Sequence, residues 1–236
     1  MMAIKGFLKK PYHIINRMKK PVKYGVNAIE PISRKIGYER GMPIDRYYIE
    51  HFLEEHRAYI KGNVLEIAEN RYTKKYGTDS PVSHVLSYKG EQKGDAHMIE
   101  GDLTNERSLP ADSMDCFICT QTLNFIYDVK SAVRGIRKVI KPGGHALITV
   151  SGVSQISRYD YDRWGDYWRF SDQSIRRLLS EYFGEKNVQV KEYGNLAALM
   201  ALLQGFAVED LDDRALLDIA DHEYQVTLGV MATRDQ

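Results

Sequence analysis

Apolar and polar positions change rhythm along this chain in a way that separates helices from strands. From Pro43, the residues Ile44, Tyr48, Ile49, Phe52, Leu53 and Ile60 keep helical spacing, with Pro43 suited to a first turn and Gly62 to the exit. Short apolar runs then recur at 63–68, 82–87, 96–100, 114–119 and 145–150. Between the last two, Val129, Val133, Ile136 and Ile140 mark an amphipathic helix. Lys141-Pro142-Gly143-Gly144 ends it, with proline and glycine at the second and third positions of a type II turn. Ile175, Leu178, Leu179, Tyr182 and Phe183 draw another helix face, and Ser171 is placed to cap it. A strand near 187–192, a helical segment from 195 to 219 and an alternating strand from Tyr224 to Ala232 come next. The stretch between Asn70 and Val82 has weak helical character. Strands separated by helices predict an α/β fold with a doubly wound, mostly parallel sheet over residues 41–236.

Residues 1–40 are different: basic, interrupted by Pro11, Pro21 and Pro31, and without a sustained period. They read as an extension packed on or near the domain. Seven Lys/Arg precede the first acidic residue, Glu30, whereas the whole chain carries 33 basic and 32 acidic residues. The net charge of +1 gives no global pull towards nucleic acid, so the basic segment is a local feature. Its ordinary role is a solvated one; contact with a protein partner or an anionic membrane surface is the alternative.

Composition changes the picture little. With 43% hydrophobic residues and a mean hydropathy of −0.43, the chain falls in the ordinary soluble class. Charges and Pro11 interrupt the N-terminus, and the longest apolar stretch, 196–208, contains Gln204 and is shorter than the roughly 20 residues of a membrane span. A cytoplasmic location is expected. The stripe Leu196, Leu199, Met200 and Leu203 reads as core. Cys116 and Cys119 form a C-x-x-C, but inside a strand a separation of three sends them to opposite faces, so two buried thiols are expected rather than a metal or redox pair.

In such sheets ligands bind beyond the carboxyl ends of the strands. That selects Ala68-Glu69-Asn70, Gly101-Asp102 and Thr120-Gln121-Thr122. Neither G-x-G-x-x-G nor G-x-x-x-x-G-K-[ST] is present, and no Cys/His cluster has zinc spacing. Nicotinamide, nucleoside-triphosphate and metal chemistry lose their main support. The aromatic stretch Tyr159, Tyr161, Trp164, Tyr167, Trp168 and Phe170 is mixed with Asp160, Asp162, Arg163, Asp166 and Arg169. Stacking faces interleaved with polar groups suit a sugar-like ligand better than a satellite core.

The ordered pieces "VLEIAEN", "GDL", "LPADSMDCFICTQTLNF" and "VIKPGGHALITV" resemble class I S-adenosylmethionine-dependent methyltransferases. "GMPIDRYYIEHFL" and "ISRYDYDRWGDYWRFS" are similar to a subgroup associated with bacterial cell-surface polysaccharide synthesis. The resemblance implies a Rossmann-like methyltransferase sheet of seven strands with an N-terminal helical extension, and S-adenosylmethionine as cofactor. It places Glu66 near the cofactor's methionyl end, Ala68, Glu69 and Asn70 in the loop beneath it, and Asp102 on the adenine amine. Thr120 and Gln121 line cofactor and transfer site; Tyr72 and Leu103 complete the cofactor set.

Two positions depart from the family. Ala68 stands where glycine is usual, so its Cβ crowds the ligand or excludes a positive φ. A backbone on a different path is the expectation, with an Ala68→Gly change neutral or harmful. In the second strand the nearest match to the ribose-binding acid is His84.

The function implied is methyl transfer to a hydroxyl of a glycan, sugar nucleotide or related small molecule, with Asp160 or Asp166 as base. No Asp/Asn-Pro-Pro-aromatic sequence comes after the fourth strand, which argues against the N-methyltransferases that carry one. Arg46, Tyr47 and Tyr48 are expected to meet the aromatic loop over the transfer site and to bind acceptor together with Arg163, Trp164, Tyr167, Trp168 and Arg169. The rival is a non-catalytic, methyltransferase-like scaffold, which the Ala68 and His84 departures favour.

Overall fold

A computed structural model describes residues 29–88 and 97–236. Its centre is a seven-stranded sheet of β1 (Asn63–Ile67), β2 (Val82–Ser87), β3 (His97–Glu100), β4 (Met114–Thr120), β5 (Ile140–Ser151), β6 (Val188–Tyr193) and β7 (Thr227–Thr233). The strand order is β3-β2-β1-β4-β5-β7-β6. β1 to β5 are parallel, and β7 runs antiparallel between β5 and β6. This is the Rossmann-like methyltransferase sheet.

The helices are α1 (Ile44–Glu55), α2 (Arg71–Tyr76), α3 (Val129–Val139), α4 (Arg158–Tyr161), α5 (Asp172–Phe183) and α6 (Leu196–Gln204). On one face of the sheet, Val133, Ile136 and Val139 of α3 and Ile175, Leu179 and Phe183 of α5 pack against Phe117, Cys119, Ile148 and Val230. On the other, Ile44, Tyr48, Phe52 and Leu53 of α1 and Ala198, Ala201 and Leu202 of α6 cover Val64, Cys116, Ile118 and Met231. Each large apolar side chain so buried contributes about 1.5–3 kcal/mol. α1 comes close to β7 because position 229 is glycine: a Cβ there would sit 2.4 Å from the Phe52 ring.

Local expectations hold at several points. Ser171 caps α5 in a capping box with Ser174. The helix after β1 is indeed reduced, to the six residues of α2. Pro142-Gly143 forms an excursion between Met114↔Ile140 and Cys116↔His145 with Gly143 at φ 81°, so the turn interrupts β5 rather than preceding it. Cys116 and Cys119 are free, buried and on opposite faces, and burial pushes the Cys119 thiol up to about 12. Asp115 accepts from Asn63 N and Lys141 Nζ, a structural role at the strand start.

Two expectations fail. The segment from 195 to 219 is not one helix: α6 ends at Gly205, in the left-handed conformation, and single 3-10 turns come after it. The Leu196, Leu199, Met200, Leu203 stripe is not core. Leu196, Met200 and Leu203 are 49%, 37% and 40% exposed, because Ala198, Ala201 and Leu202 face the sheet instead.

His145 is packed within β5, with Nδ1 paired to Thr233 Oγ1 at 3.0 Å and its ring 4.5 Å from Tyr59. Burial, reinforced by Lys61, lowers its pKa. A lowered histidine pKa stabilises the fold above the unfolded value of about 6.5, and that contribution is lost as pH falls through the folded value. Urea midpoints measured from neutral pH down to pH 5 should therefore decline, and His145→Gln should flatten the decline. An unchanged slope in the variant would remove His145 from the account.

Candidate functional site

The carboxyl ends of β1, β3 and β4 share one construction. At each, a backbone N–H one residue past the strand reaches a neighbouring strand: Ala68 to Leu86 O at 3.0 Å, Gly101 to Ser87 O at 3.1 Å, Gln121 to Thr149 O at 2.8 Å. The chain then turns away. At β1 the reversal is held by Glu66, whose buried carboxylate accepts from Tyr72 N, Thr73 N and Thr73 Oγ1 at 3.0, 2.9 and 3.0 Å. Burial raises its pKa, and the helix-start hydrogen bonds oppose the rise. Glu66 thus supports the loop from below, and Tyr72 is buried beside it, as Leu103 is behind Asp102. Ala68 and Glu69 remain exposed at the open edge, and Asn70 is buried as the cap of α2.

Ala68 adopts φ 63°, so the alanine does not exclude the left-handed turn. Its Cβ is carried at a cost of about 1–2 kcal/mol. Gln121, at the end of the adjacent β4, is also left-handed, at φ 48°. Gln121 Oε1 accepts from Ser151 Oγ at 2.7 Å, while its Nε2 is buried without a partner among the described residues. Asp102 Oδ1 accepts from Thr104 N and Oγ1, leaving Oδ2 with no hydrogen bond among the described residues. Thr120, half-buried, precedes Gln121 on the same edge.

His84 is misplaced as a ribose-side residue. It lies three residues before the end of β2, beside Leu65 and His97, with Nε2 3.2 Å from Asn63 Oδ1. It lines an open cleft of about 760 Å³ with Met98, Leu109 and Met114. The carboxyl end of β2 is Ser87-Tyr88, and exposed Tyr88 meets Trp164 edge-on at 6.1 Å. Tyr88 stands at this edge and was not singled out from the sequence; counting β2 to its last residue was the available signal.

The aromatic loop is pinned over the end of β4 by Asn124, which is almost wholly buried. Its backbone O accepts from Tyr167 N and Trp168 N, its Nδ2 donates to Trp168 O, and its Oδ1 accepts from Ser151 N. Trp168 Nε1 donates to Ile126 O at 3.0 Å, so this indole is largely anchored. Asp166 cannot act as a base here: its side chain is 0% exposed, paired to Arg169 and accepting from Ser157 N. Arg169 also donates to Gln155 O and is itself a brace. Arg163 lies over the Tyr159 ring at 3.5 Å and donates to Tyr159 O. Asp160 Oδ2 accepts from Ser157 Oγ, and its Oδ1 has no hydrogen bond among the described residues. Trp164, Tyr167, Tyr159 and Tyr161 keep exposed faces.

Arg46, Tyr47 and Tyr48 do not meet that loop as a group. Tyr48 is sealed in the core against Tyr193, and Tyr47 donates to Asp218 Oδ1 at 2.6 Å on the outer side of α1. The apolar spacing of α1 turns both towards α6 and the segment after it. Arg46 makes no contact with Asp160 or Asp166. It donates to Tyr72 O–H at 2.8 Å and Tyr38 O–H at 2.7 Å, has no carboxylate ion pair among the described residues, and buries an unpartnered Nε. Through Tyr72 it stands beside the start of α2, at the β1 end of the edge.

Residues 59–148 match a family model described as a methyltransferase domain. Among solved structures, the chain is similar to an S-adenosylmethionine-dependent methyltransferase from Archaeoglobus fulgidus (TM-score 0.50, 15% identity, covering 80% of this chain and 94% of that one). It is also similar to the [4+2]-cyclase SpnF (TM-score 0.53, 13% identity, 88% and 87% covered). A third is phosphoethanolamine N-methyltransferase 2 of Haemonchus contortus in complex with S-adenosyl-L-methionine (TM-score 0.52, 14% identity, 90% and 55% covered). At such identities the likeness is one of fold. Among curated proteins none matches the sequence. Strand order and domain match together support a class I S-adenosylmethionine-dependent methyltransferase, with S-adenosylmethionine as the cofactor.

The residues present fit that cofactor. The half-buried Arg46 guanidinium, with Asp45 next to it and its Nε buried without a hydrogen-bond partner, suits its carboxylate; the free Asp102 oxygen suits an amine, and the unpaired Gln121 amide N–H₂ offers a donor at the end of β4.

Two outcomes are expected at this edge. Ala68→Gly should raise stability by up to about 1 kcal/mol, strain relief outweighing added unfolded-state entropy, and should not weaken cofactor affinity. A lowered urea midpoint would show that the left-handed alanine is not strained. Asn124→Ala should cost about 1–3 kcal/mol, since it strands buried partners, and should change the emission of Trp168 by loosening the loop. Native-like emission with unchanged stability would mean the loop is held elsewhere.

Proposed function

We propose that this protein transfers a methyl group from S-adenosylmethionine to a hydroxyl of a glycan, sugar nucleotide or related small molecule. The observation that carries this is the pair of left-handed non-glycine residues, Ala68 and Gln121, ending adjacent central strands beneath an anchored aromatic loop. Strain of this kind concentrates at ligand sites, where the surroundings over-determine it. The cofactor supplies an electrophilic methyl group on a sulfonium. The chain's own contribution is alignment, which can account for most of the acceleration in such a displacement.

Arg46 would hold the cofactor's carboxylate, and Asp102 its adenine amine. Gln121, fixed by Ser151, would meet the cofactor from the end of β4. Tyr88 and Trp164 would close the β2 side. The exposed rings of Tyr159, Tyr161, Trp164 and Tyr167 offer stacking surfaces for sugar faces, supporting the likeness of this loop to enzymes of cell-surface polysaccharide synthesis. Of the two candidate bases, Asp160 alone retains an open carboxylate oxygen, so the acceptor proton is assigned to it.

Calorimetry with S-adenosylmethionine and its demethylated product should show binding near the micromolar range, about −8 kcal/mol. Asp102→Asn keeps an oxygen for Thr104 but turns an amide N–H₂ towards the adenine amine. Affinity should fall by roughly 1.5–3 kcal/mol, the worth of a hydrogen bond to a charged group, with stability unchanged. No heat at saturating cofactor would favour the scaffold instead.

A further inference from the structure

Helix α6 contains no charged residue, and its inward side is made of Ala198, Ala201 and Leu202. Leu196, Met200 and Leu203, at helical spacing, form one solvent-facing apolar stripe, widened by half-buried Leu199. No described residue covers it. A contiguous apolar helix face on a soluble fold marks a contact surface.

The chain arrives directly beside this stripe. Ile32 N and Ser33 N both donate to the O of Gln204, the last residue of α6. Pro43 bridges Ala207, Arg40 pairs with Asp210 at 2.7 Å, and Met42 N donates to Glu209. Residues 32–43 therefore already lie along the end of α6 and residues 207–210 beyond it.

Charge selects the occupant. Residues 209–223 hold seven acidic residues against one arginine. A cleft of about 670 Å³ next to them has four carboxylates in its wall, Glu50, Glu54, Glu209 and Asp218, against Lys75, which pairs with Glu50, and Arg214. An anionic lipid surface would be repelled by this rim, and a two-fold pairing of stripes would set the rim against itself. Residues 1–28 carry seven Lys/Arg and no acid, together with apolar Ile4, Phe7, Leu8, Ile14, Ile15 and Met18.

We propose that the chain's own residues 1–28 dock on the α6 stripe and the acidic cleft beside it. Tethering through residues 29–43 makes the contact intramolecular, so a weak interaction suffices to keep it formed. The contact is separate from methyl transfer, and its test uses no cofactor.

Hydrogen exchange of the full chain, read by mass spectrometry, tests the contact. Amides within residues 1–28 should exchange roughly tenfold more slowly than free-chain rates at low salt, and less slowly at about 1 M salt, where charge pairs are screened. Met200→Glu with Leu203→Glu, at exposed positions, should abolish the protection without lowering the thermal midpoint. Lys19→Glu with Lys20→Glu alters the segment alone and should weaken the protection too, which guards against misfolding of the α6 variant. Free-chain exchange in the unaltered protein would overturn the proposal, as would protection that survives both variants. Co-sedimentation with phosphatidylglycerol vesicles that the α6 variant abolishes would overturn it by assigning the stripe to lipid. A dimer in light scattering that the same variant dissociates would overturn it by assigning the stripe to a second copy.

Discussion

The buried carboxylate of Glu66 is the constraint from which this site is built. It lies inside the sheet at the end of β1, where burial disfavours its charge, and it is kept there by three donors from the first turn of α2. Hydrogen bonds to a charged acceptor contribute about 1.5–3 kcal/mol each when the alternative is an unsatisfied group. To reach them the chain must reverse within the residues from Ala68 to Asn70, and a left-handed residue at Ala68 does this. The reversal fixes Tyr72, Tyr72 positions Arg46, and Arg71 and Lys75 pair with Glu50 of α1. One carboxylate thereby couples the central strand, the helix before it and an arginine without a carboxylate partner among the described residues.

The opposite wall depends on Asn124 in an analogous way. A polar side chain with almost no exposure uses both its amide groups and its backbone carbonyl to tie the turn after β4 to Ser151 and to residues 167–168. The loop is consequently divided. Trp168, Asp166 and Arg169 are spent on anchoring it, whereas Tyr159, Tyr161, Trp164 and Tyr167 keep exposed rings. Anchoring and recognition are carried by different members of one short aromatic stretch.

This division explains what could be read from the residues and what could not. Strand spacing and turn chemistry were legible because each depends on local pattern: the runs at 63–68, 82–87 and 114–119, each within one residue of the observed strand, the Pro142-Gly143 turn, the Ser171 cap. His84 was misassigned because a strand's last residue, not its nearest polar side chain, reaches the carboxyl edge. Asp166 was indistinguishable from Asp160 until folding paired it with Arg169. α6 is apolar on every side, so periodicity could not tell which face the sheet would take; it took the small one, where Ala198 and Ala201 allow close approach. Tyr48 followed the apolar spacing of α1 into the core, while Arg46, two residues earlier, did not.

The two left-handed residues then acquire a common explanation. Ala68 and Gln121 flank the same pair of central strands, and each extends its ladder by one hydrogen bond to an outer neighbour before the chain turns. The turn must come immediately, because a further extended residue would carry the backbone across the space above the sheet. A positive φ ends the strand within one residue, at a cost of about 1–2 kcal/mol. The ladder bond and the support from Glu66 and Ser151 offset that cost. Glycine would have met the steric demand at both positions, yet at 121 a side chain is present whose oxygen is held by Ser151 and whose Nε2 has no partner among the described residues. At position 121 an orphaned donor therefore stands beside a strained backbone, and the packing of the described residues accounts for neither.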